Sequence, residues 1–287
     1  MRYLVLGSSS FYGSSFLKFL QSKGEDVQGL SRPQFDLNKD FRLPQAEIIV
    51  NFIAENSRIE PWEDPERFIQ TNIVCTNRLF EEIRKKKINL YIHIGTPEVH
   101  GNNTHWINER RDYIPTNPSS VSRACSDMLL WSYWKAYKLP MIITRTTNIY
   151  GPGQQDFRLI PKAFNLISEG SKFPIYGTGK SQRSFIHVKD ACKALYLLST
   201  KGKPGETYHI STQKVHSVLE VVRMICKILG KGEVEFVKGT KDHAYLLNSD
   251  KLRSLGWYDQ IELFEGLKDY ANHGNYLEDR RRFLVET

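Results

Sequence analysis

The run Gly7-Ser8-Ser9-Ser10-Phe11-Tyr12-Gly13 sits between an apolar stretch, Leu4-Val5-Leu6, and a helix-dense one, Phe16-Leu17-Lys18-Phe19-Leu20. A turn of small residues between a strand and a helix can cradle a phosphate. The backbone approaches the anion closely, and the helix N-terminus supplies unpaired amide donors. The chemistry on offer is dinucleotide binding, with Gly7, Ser9, Ser10, Phe11, Tyr12 and Gly13 as contact residues. The end of the following strand selects the dinucleotide. An acid there suits the ribose 2′-hydroxyl of NAD, an arginine the 2′-phosphate of NADP. This chain has Leu30-Ser31-Arg32 and no acid before Asp36. NADP is therefore the expected cofactor, held by Ser31 and Arg32, with NAD as the alternative. The competing reading of Arg32 is a loop arginine without a ligand.

Two other patterns carry less. Gly177-Thr178-Gly179-Lys180-Ser181 ends like a nucleotide-triphosphate loop, but Pro174 stands where its first glycine belongs. The eight histidines show no spacing with cysteine or carboxylate that calls for a metal.

The elements that must position these residues follow from apolar periodicity. Residues 3–6, 26–30, 48–53, 90–94 and 141–144 read as strands, and 65–85 and 120–137 as helices. Strands alternating with helices imply right-handed βαβ units, hence an α/β, Rossmann-type doubly wound parallel sheet. From Gly151 the segments shorten and turns multiply, at Gly151-Pro152-Gly153, Gly177-Thr178-Gly179 and Gly202-Lys203-Pro204-Gly205. The expected division is a dinucleotide-binding domain over 1–150 and a smaller C-terminal substrate lobe over 151–287. The chain returns to the first domain around 184–200.

At 287 residues, 40% hydrophobic and 25% charged, the chain fits a soluble globular protein with a substantial core. No apolar run approaches the ~20 residues that span a bilayer. The N-terminal apolar run is too short for a signal peptide and reads as a first strand. Cys75, Cys125, Cys192 and Cys226 are scattered through expected helices and read as reduced packing thiols, so a cytoplasmic protein is expected. The net charge is +8, with basic runs at Arg84-Lys85-Lys86-Lys87 and Arg280-Arg281-Arg282. Neither run is interleaved with aromatics, so both read as solvated surface rather than a nucleic-acid face. No nucleic-acid or membrane partner is expected, and the charge excess favours an anionic substrate.

Several separated strings, in order, resemble the extended short-chain dehydrogenase/reductases that modify nucleotide sugars. Asn117-Pro118-Ser119-Ser120-Val121-Ser122-Arg123-Ala124-Cys125-Ser126-Asp127 is similar to that family's active-site helix, usually written Asn-Pro-Tyr-Ser-Ala-Ser-Lys-Ala-Ala-Ser-Asp. Gly95-Thr96-Pro97-Glu98-Val99-His100-Gly101 resembles its Ser-Thr-Asp-Glu-Val-Tyr-Gly string, and Arg145-Thr146-Thr147-Asn148-Ile149-Tyr150-Gly151-Pro152 its Arg-x-x-Asn-x-Tyr-Gly-Pro string. The longest match is Pro174 through Asp190, with Arg183 inside it; Leu159-Ile160-Pro161-Lys162 and Leu255-Gly256-Trp257 are further landmarks. The resemblance runs from residue 2 to about 270.

This resemblance implies a nucleoside-diphosphate sugar as partner and hydride transfer at a sugar carbon, as in an epimerase or dehydratase. It implies catalytic roles for Thr96, Glu98, Ser119 and Arg123. Cofactor contacts are implied at Asp36 and Leu37, Ala54, Asn72 and Arg123, and substrate contacts at Asn148, Lys162 and Arg183. It also implies a homodimer, formed through the helix that carries Arg123, with Leu129, Leu130, Trp131 and Trp134 available to the interface or to the core. Two departures matter. The family's tyrosine is Ser119, an aliphatic hydroxyl far less acidic than a phenol of pKa ~10. Its lysine is Arg123, which keeps the charge but cannot release a proton. Another group (Glu98, His100 or Tyr113) then has to move the proton, or the chemistry differs, or the site only binds. An NADPH-dependent 4-keto-sugar reductase and a non-catalytic dinucleotide- or nucleotide-sugar-binding protein are the alternatives.

Overall fold

A computed structural model of the chain describes residues 1–55, 60–239 and 244–273. Asn56 and Ser57 of the string after Ala54, and the basic run Arg280-Arg281-Arg282, lie outside the described residues. The main layer is a six-stranded sheet of β1 (Arg2–Leu6), β2 (Asp26–Leu30), β3 (Ile48–Asn51), β4 (Leu90–Gly95), β5 (Met141–Thr146) and, later in the chain, Glu206–Ile210. All its pairings are parallel. The order places β2 at one edge, then β1, β3, β4, β5 and Glu206–Ile210 at the other. The strand order therefore reverses between β1 and β3, and the crevice at such a switch point is where open α/β sheets bind ligands.

The unbroken apolar character of β1 has a direct cause. Tyr3 and Val5 enter one core, and Leu4 and Leu6 enter another on the opposite face. The first core holds α1 (Phe11–Ser22), through Phe16 and Leu20, against the later helix Val188–Lys201, through Leu195 and Leu198. The second holds α3 (Thr76–Arg84), which follows α2 (Pro65–Ile69), through Leu79, Phe80 and Ile83, beside α4 (Pro118–Tyr137), through Leu130 and Trp131. The single helix expected over 65–85 is thus corrected. A π-helical segment, Gln70–Cys75, separates α2 from α3. The strand expected over 48–53 ends at Asn51, whose Oδ1 accepts the Ile53 amide and turns the chain.

After β5 the chain leaves the sheet through β6 (Asn148–Tyr150), α5 (Leu159–Ser168), β7 (Phe173–Tyr176), β8 (Gln182–Arg183) and β9 (Phe185–His187). It re-enters the main layer with α6 (Val188–Lys201) and β10 (Glu206–Ile210), then adds β11 (His216–Ser217), α7 (Val218–Leu229), β12 (Val234–Val237), α8 (Asp250–Arg253) and α9 (Leu263–His273). A third core joins α5, α7 and α9 through Phe164, Val222, Ile225 and Leu267. Asp190, at the start of α6, accepts the amides of Gln260 and Ile261, and its carbonyl accepts Trp257 Nε1. One buried carboxylate thereby pins the C-terminal segment to the main layer.

Candidate active site

The glycine turn is closed from within. Gly7 has φ +78°, and a side chain there would meet the Ile53 amide at 3.1 Å. A Cβ on Gly13 would lie 2.3 Å from the Gly7 carbonyl oxygen. Ser10 caps α1, its Oγ accepting the Gly13 amide at 3.1 Å and donating to the Gly7 carbonyl at 2.7 Å. The hydroxyl therefore closes the turn with its own side chain. Ser9 is exposed and Phe11 half-buried above the first turn, whose amides have no intrahelical partner. Glycine is needed at both positions for the turn's own close packing, and with the Gly13 amide taken by Ser10 the Phe11 and Tyr12 amides are the donors at the helix N-terminus that fit a pyrophosphate. Of the contact set, Tyr12 has only its backbone to offer a ligand. Its ring packs edge-on to Phe52 and its hydroxyl donates to the Ala191 carbonyl, so its side chain belongs to the core.

The exit of β2 stands beside this turn. The Leu30 carbonyl accepts the amides of Gly7 and Ser8, and Ser8 Oγ lies 3.4 Å from Ser31 Oγ. Ser31 is half-buried and Arg32 exposed. Asp36 spends its Oδ1 on the amide and side chain of Asn38, which holds its carboxyl below the usual range, with Arg32 adding to the effect. Leu37 packs in the second core, so its side chain too is withdrawn from the cofactor side. Ala54 is half-buried past the end of β3. Asn72, 2% exposed, accepts the Glu55 amide at 2.8 Å and donates to Ser122 Oγ at 2.9 Å. It ties the exit of β3 to α4, with its amide spent on protein partners.

At the end of β4, Thr96 caps a short 3-10 turn, Pro97–His100, its Oγ1 accepting the Glu98 amide at 3.3 Å. Gly95 is forced, since a Cβ would lie 2.9 Å from the Thr144 carbonyl oxygen. Glu98 is half-buried, and its charge is felt by Arg123, Arg158, Arg183 and Tyr245, which come from four separate segments. Asn117 and Ser120 form a reciprocal cap at the start of α4, which leaves Ser119 half-buried on its first turn. Arg123 is turned inward, and its guanidinium donates to the Ile94 carbonyl. Burial lowers its pKa against the pull of Asp127, Tyr91 and Glu98.

Beneath this layer lies a buried ionic cluster. Arg145, wholly buried, donates to Asp127 Oδ2 and to the Tyr113 hydroxyl, each at 2.8 Å. Burial raises the Asp127 carboxyl and the Tyr113 phenol, with Arg145 opposing both shifts. His100, 2% exposed, packs edge-on to the rings of Tyr113 and His209, and burial holds its pKa down at about 4. Tyr113 and His100 thus serve the cluster.

On the substrate side, Asn148 Nδ2 donates to the Ser184 carbonyl and braces β6 on β9. Lys162 is half-buried on α5. Arg183 is half-buried, without a hydrogen bond from its guanidinium to the described residues, and burial lowers its pKa. Two residues escaped the sequence reading. Arg158, at the cap of α5, lays its guanidinium 5.0 Å from the Phe157 ring and lies in electrostatic reach of Glu98 and Arg183. Tyr245 bridges to Arg183 through backbone pairing, and burial raises its phenol. Arg158 precedes Lys162 by one helical turn, which was the available signal; Tyr245 is brought in only by tertiary pairing.

A glycine turn at the switch point of a parallel sheet, with Thr96 and Glu98 at the exit of β4 and Ser119 at the start of α4, defines a dinucleotide-binding α/β protein. Residues 3–211 match the model of the NAD dependent epimerase/dehydratase family. The chain is 30% identical to the low-salt glycan biosynthesis protein of Haloferax volcanii, over 97% of this chain and 99% of that protein. It is 33% identical to a trifunctional UDP-glucose 4,6-dehydratase/UDP-4-keto-6-deoxy-D-glucose 3,5-epimerase/UDP-4-keto-L-rhamnose-reductase of Arabidopsis thaliana over 77% of this chain, and spans only 35% of that enzyme's length. The dTDP-glucose 4,6-dehydratase of Streptomyces venezuelae, solved with NAD bound, superposes with a TM-score of 0.86 at 25% identity, covering 99% of this chain and 98% of that one. The UDP-glucuronic acid 4-epimerase of Bacillus cereus shares the fold, with a TM-score of 0.86 at 21% identity over 95% of this chain and 98% of that one. The chain belongs to the NAD-dependent epimerase/dehydratase family, whose members are enzymes acting on nucleotide sugars.

Proposed function

We propose that this chain holds NADP along the Gly7–Gly13 turn, with Ser31 and Arg32 at the 2′-phosphate. A nucleoside-diphosphate sugar occupies the facing cleft, and Glu98 carries the proton transfers there. The bound dinucleotide supplies or accepts hydride at a sugar carbon. The chain's own residues bind, orient and move protons. UDP- and dTDP-linked hexoses, the sugars in the names of the relatives, are the first ligands to test.

One observation carries this reading. Arg158 and Arg183 present half-buried guanidiniums with no hydrogen bond to described residues, in electrostatic reach of each other and of Glu98. Paired planar donors are a receptor for a diphosphate, whose oxygens accept two forks at once. Lys162 adds charge on the same helix as Arg158. Helices α2 to α4 expose Ile69, Val74, Val121 and Met128, and a second copy of the chain covers them. The four cysteines are free thiols, which suits the cytoplasm.

Calorimetric titration tests the assignment. Arg32→Ala should weaken NADP about 10-fold or more and leave NAD unchanged, while Arg183→Ala should weaken UDP and dTDP by about 10- to 100-fold. Equal affinity of the wild type for both coenzymes would overturn the NADP assignment. Failure to bind either coenzyme would overturn the reading as a whole.

A further inference from the structure

Along the chain, the basic run Arg84-Lys85-Lys86-Lys87 stands apart from aromatic residues. The fold gives it neighbours. β4, β5 and β10 lie side by side in the main sheet, all parallel. Each is entered by a turn from the end of a helix: α3, α4 and α6 in that order. Adjacent strands are about 4.8 Å apart, so the three turns line one edge of the sheet. Lys85 and Lys87 belong to the first turn, Lys135 and Lys138 to the second, Lys201 and Lys203 to the third. Contacts lock the turns together. The Arg84 guanidinium lies 4.9 Å from the Tyr137 ring. A Cβ on Gly205 would lie 2.5 Å from the Trp134 ring, so the turn after α6 presses on the end of α4. The Pro140 carbonyl accepts the Tyr91 amide, and the Met141 carbonyl accepts the Gly205 amide.

The charge on this edge is not balanced by the protein. All of these lysines are exposed, and none makes an ion pair among the described residues. The neighbouring acids are spent: Glu81 on Arg84, Glu82 on Lys86 and Glu206 on Lys251. The helix dipole accounts for a cation in a last turn. Lys87 and Lys203 lie past the ends of α3 and α6. Along the other half of the same edge, Glu25 and Asp26 pair with the Met1 amine and Arg2. The excess is therefore local to the entries of β4, β5 and β10, in a chain of net charge +8. Tyr137 stands among these lysines, 57% exposed. The Lys138 ammonium lies 6.0 Å from the half-buried Trp134 ring.

We infer that this edge docks the protein on an anionic lipid surface. The cations are lysines, point charges on flexible stems, which suit mobile headgroups better than the fixed forks that arginine offers a shaped partner. Clusters of this size are what anionic leaflets attract. A tyrosine among them places its ring at headgroup level, where one end is apolar and the other wet. A single-stranded nucleic acid would call for a groove with successive stacking rings. The exposed ring here is Tyr137, and it stands at the end of a helix rather than in a groove. The glycine turn, Thr96 and Glu98 follow the opposite ends of the same sheet's strands. Docking therefore leaves the candidate active site facing away from the bilayer, open to small soluble ligands. This inference stands apart from the nucleotide-sugar reading and survives its failure.

Co-sedimentation of the full chain with vesicles tests it. Vesicles of phosphatidylcholine with about one-third phosphatidylglycerol should carry the protein down, and vesicles of phosphatidylcholine alone should not. Raising salt from about 0.05 M to about 0.5 M should release it. Each lysine at the surface contributes about fivefold to partitioning, so Lys87→Glu with Lys135→Glu should weaken binding about 25-fold or more. Arg223→Glu with Lys227→Glu makes the same change of net charge on exposed positions of α7, and should stay within about threefold of wild type. Thermal midpoints by circular dichroism check that both variants fold; if the glutamates disturb the fold, Lys87→Gln with Lys135→Gln carries the same test. No binding of wild type to the anionic vesicles would overturn the inference. Equal losses in the two charge variants would also overturn it, because net charge rather than this edge would then hold the protein. So would capture of a single-stranded oligonucleotide with none of the protein on vesicles.

Discussion

Arg145 and Asp127 show what the site costs at the residue scale. Both are at most 1% exposed, and Arg145 keeps Nε and Nη1 without a protein partner. A buried ion pair contributes little net stability, but removing one member strands the other charge at a cost of about 3–5 kcal/mol. Asp127→Asn should therefore destabilise by that order in urea titration, and Asp127→Asn with Arg145→Met should recover part of the loss. A single variant within 1 kcal/mol of wild type, on the order of a surface ion pair, would show the pair to be hydrated rather than sealed. Arg145 was legible, because it opens a string with recognisable spacing. Its partners were not. Asp127 lies on α4 and Tyr113 on the loop before it, and only the β5–α4 packing brings the three together. The same holds for Arg123, whose type was plain in sequence while its direction, inward onto β4, was not.

At the scale of elements, α4 was the most readable part of the chain. A reciprocal cap at Asn117 and Ser120 fixes its start, and Lys138, with φ 55°, ends it. Its partition of apolar residues was less readable, because a twenty-residue helix that is apolar on more than one side gives periodicity no single face. Of the four residues proposed for an interface or core, Leu130 and Trp131 are buried within the chain's own core, and Leu129 and Trp134 pack against it. The exposed large hydrophobic side chains of α4 are Val121, Met128 and Tyr137 instead. The π-helical segment between α2 and α3 was invisible for a related reason: its extra residue shifts the helical phase and carries Asn72 inward to Glu55 and Ser122. If α4 carries the contact between two copies, Met128→Glu places a charge at a desolvated face. Light scattering coupled to gel filtration should then show a dimer for wild type and a monomer for the variant, with coenzyme affinity unchanged. A wild-type monomer would remove the proposal.

Across the whole molecule, four buried histidines sit in and beside the strands that carry the candidate site. His93, His100, His187 and His209 are each at most 2% exposed, on β4, the 3-10 turn, β9 and β10. Burial is the first cause of a lowered pKa in all four, with Arg145 contributing at His93, His100 and His209 and Lys189 at His187. His100 and His187 fall to about 4 from the ordinary 6.5. The sign follows from linkage. Above pH 6.5 these groups are neutral in both states and cost nothing. As pH falls below 6.5 the unfolded chain takes up protons that the folded chain refuses, so stability is lost until the folded pKa is passed. At pH 5 each of these two histidines should remove roughly 2 kcal/mol, a large share of the ~5–15 kcal/mol that holds a domain together. Carboxylates paired in the folded state, such as Glu81, whose pKa is lowered to about 2, act only at lower pH. Urea-derived stability should therefore slope upward between pH 5 and 6 by a little over 1 kcal/mol per pH unit for each such histidine, hence by about 2.4 kcal/mol per pH unit from His100 and His187 together. His100→Phe should lower that slope by about one such increment. A flat profile across this window would mean that the four rings are hydrated in the folded protein and that the layer beneath Glu98 is open to water.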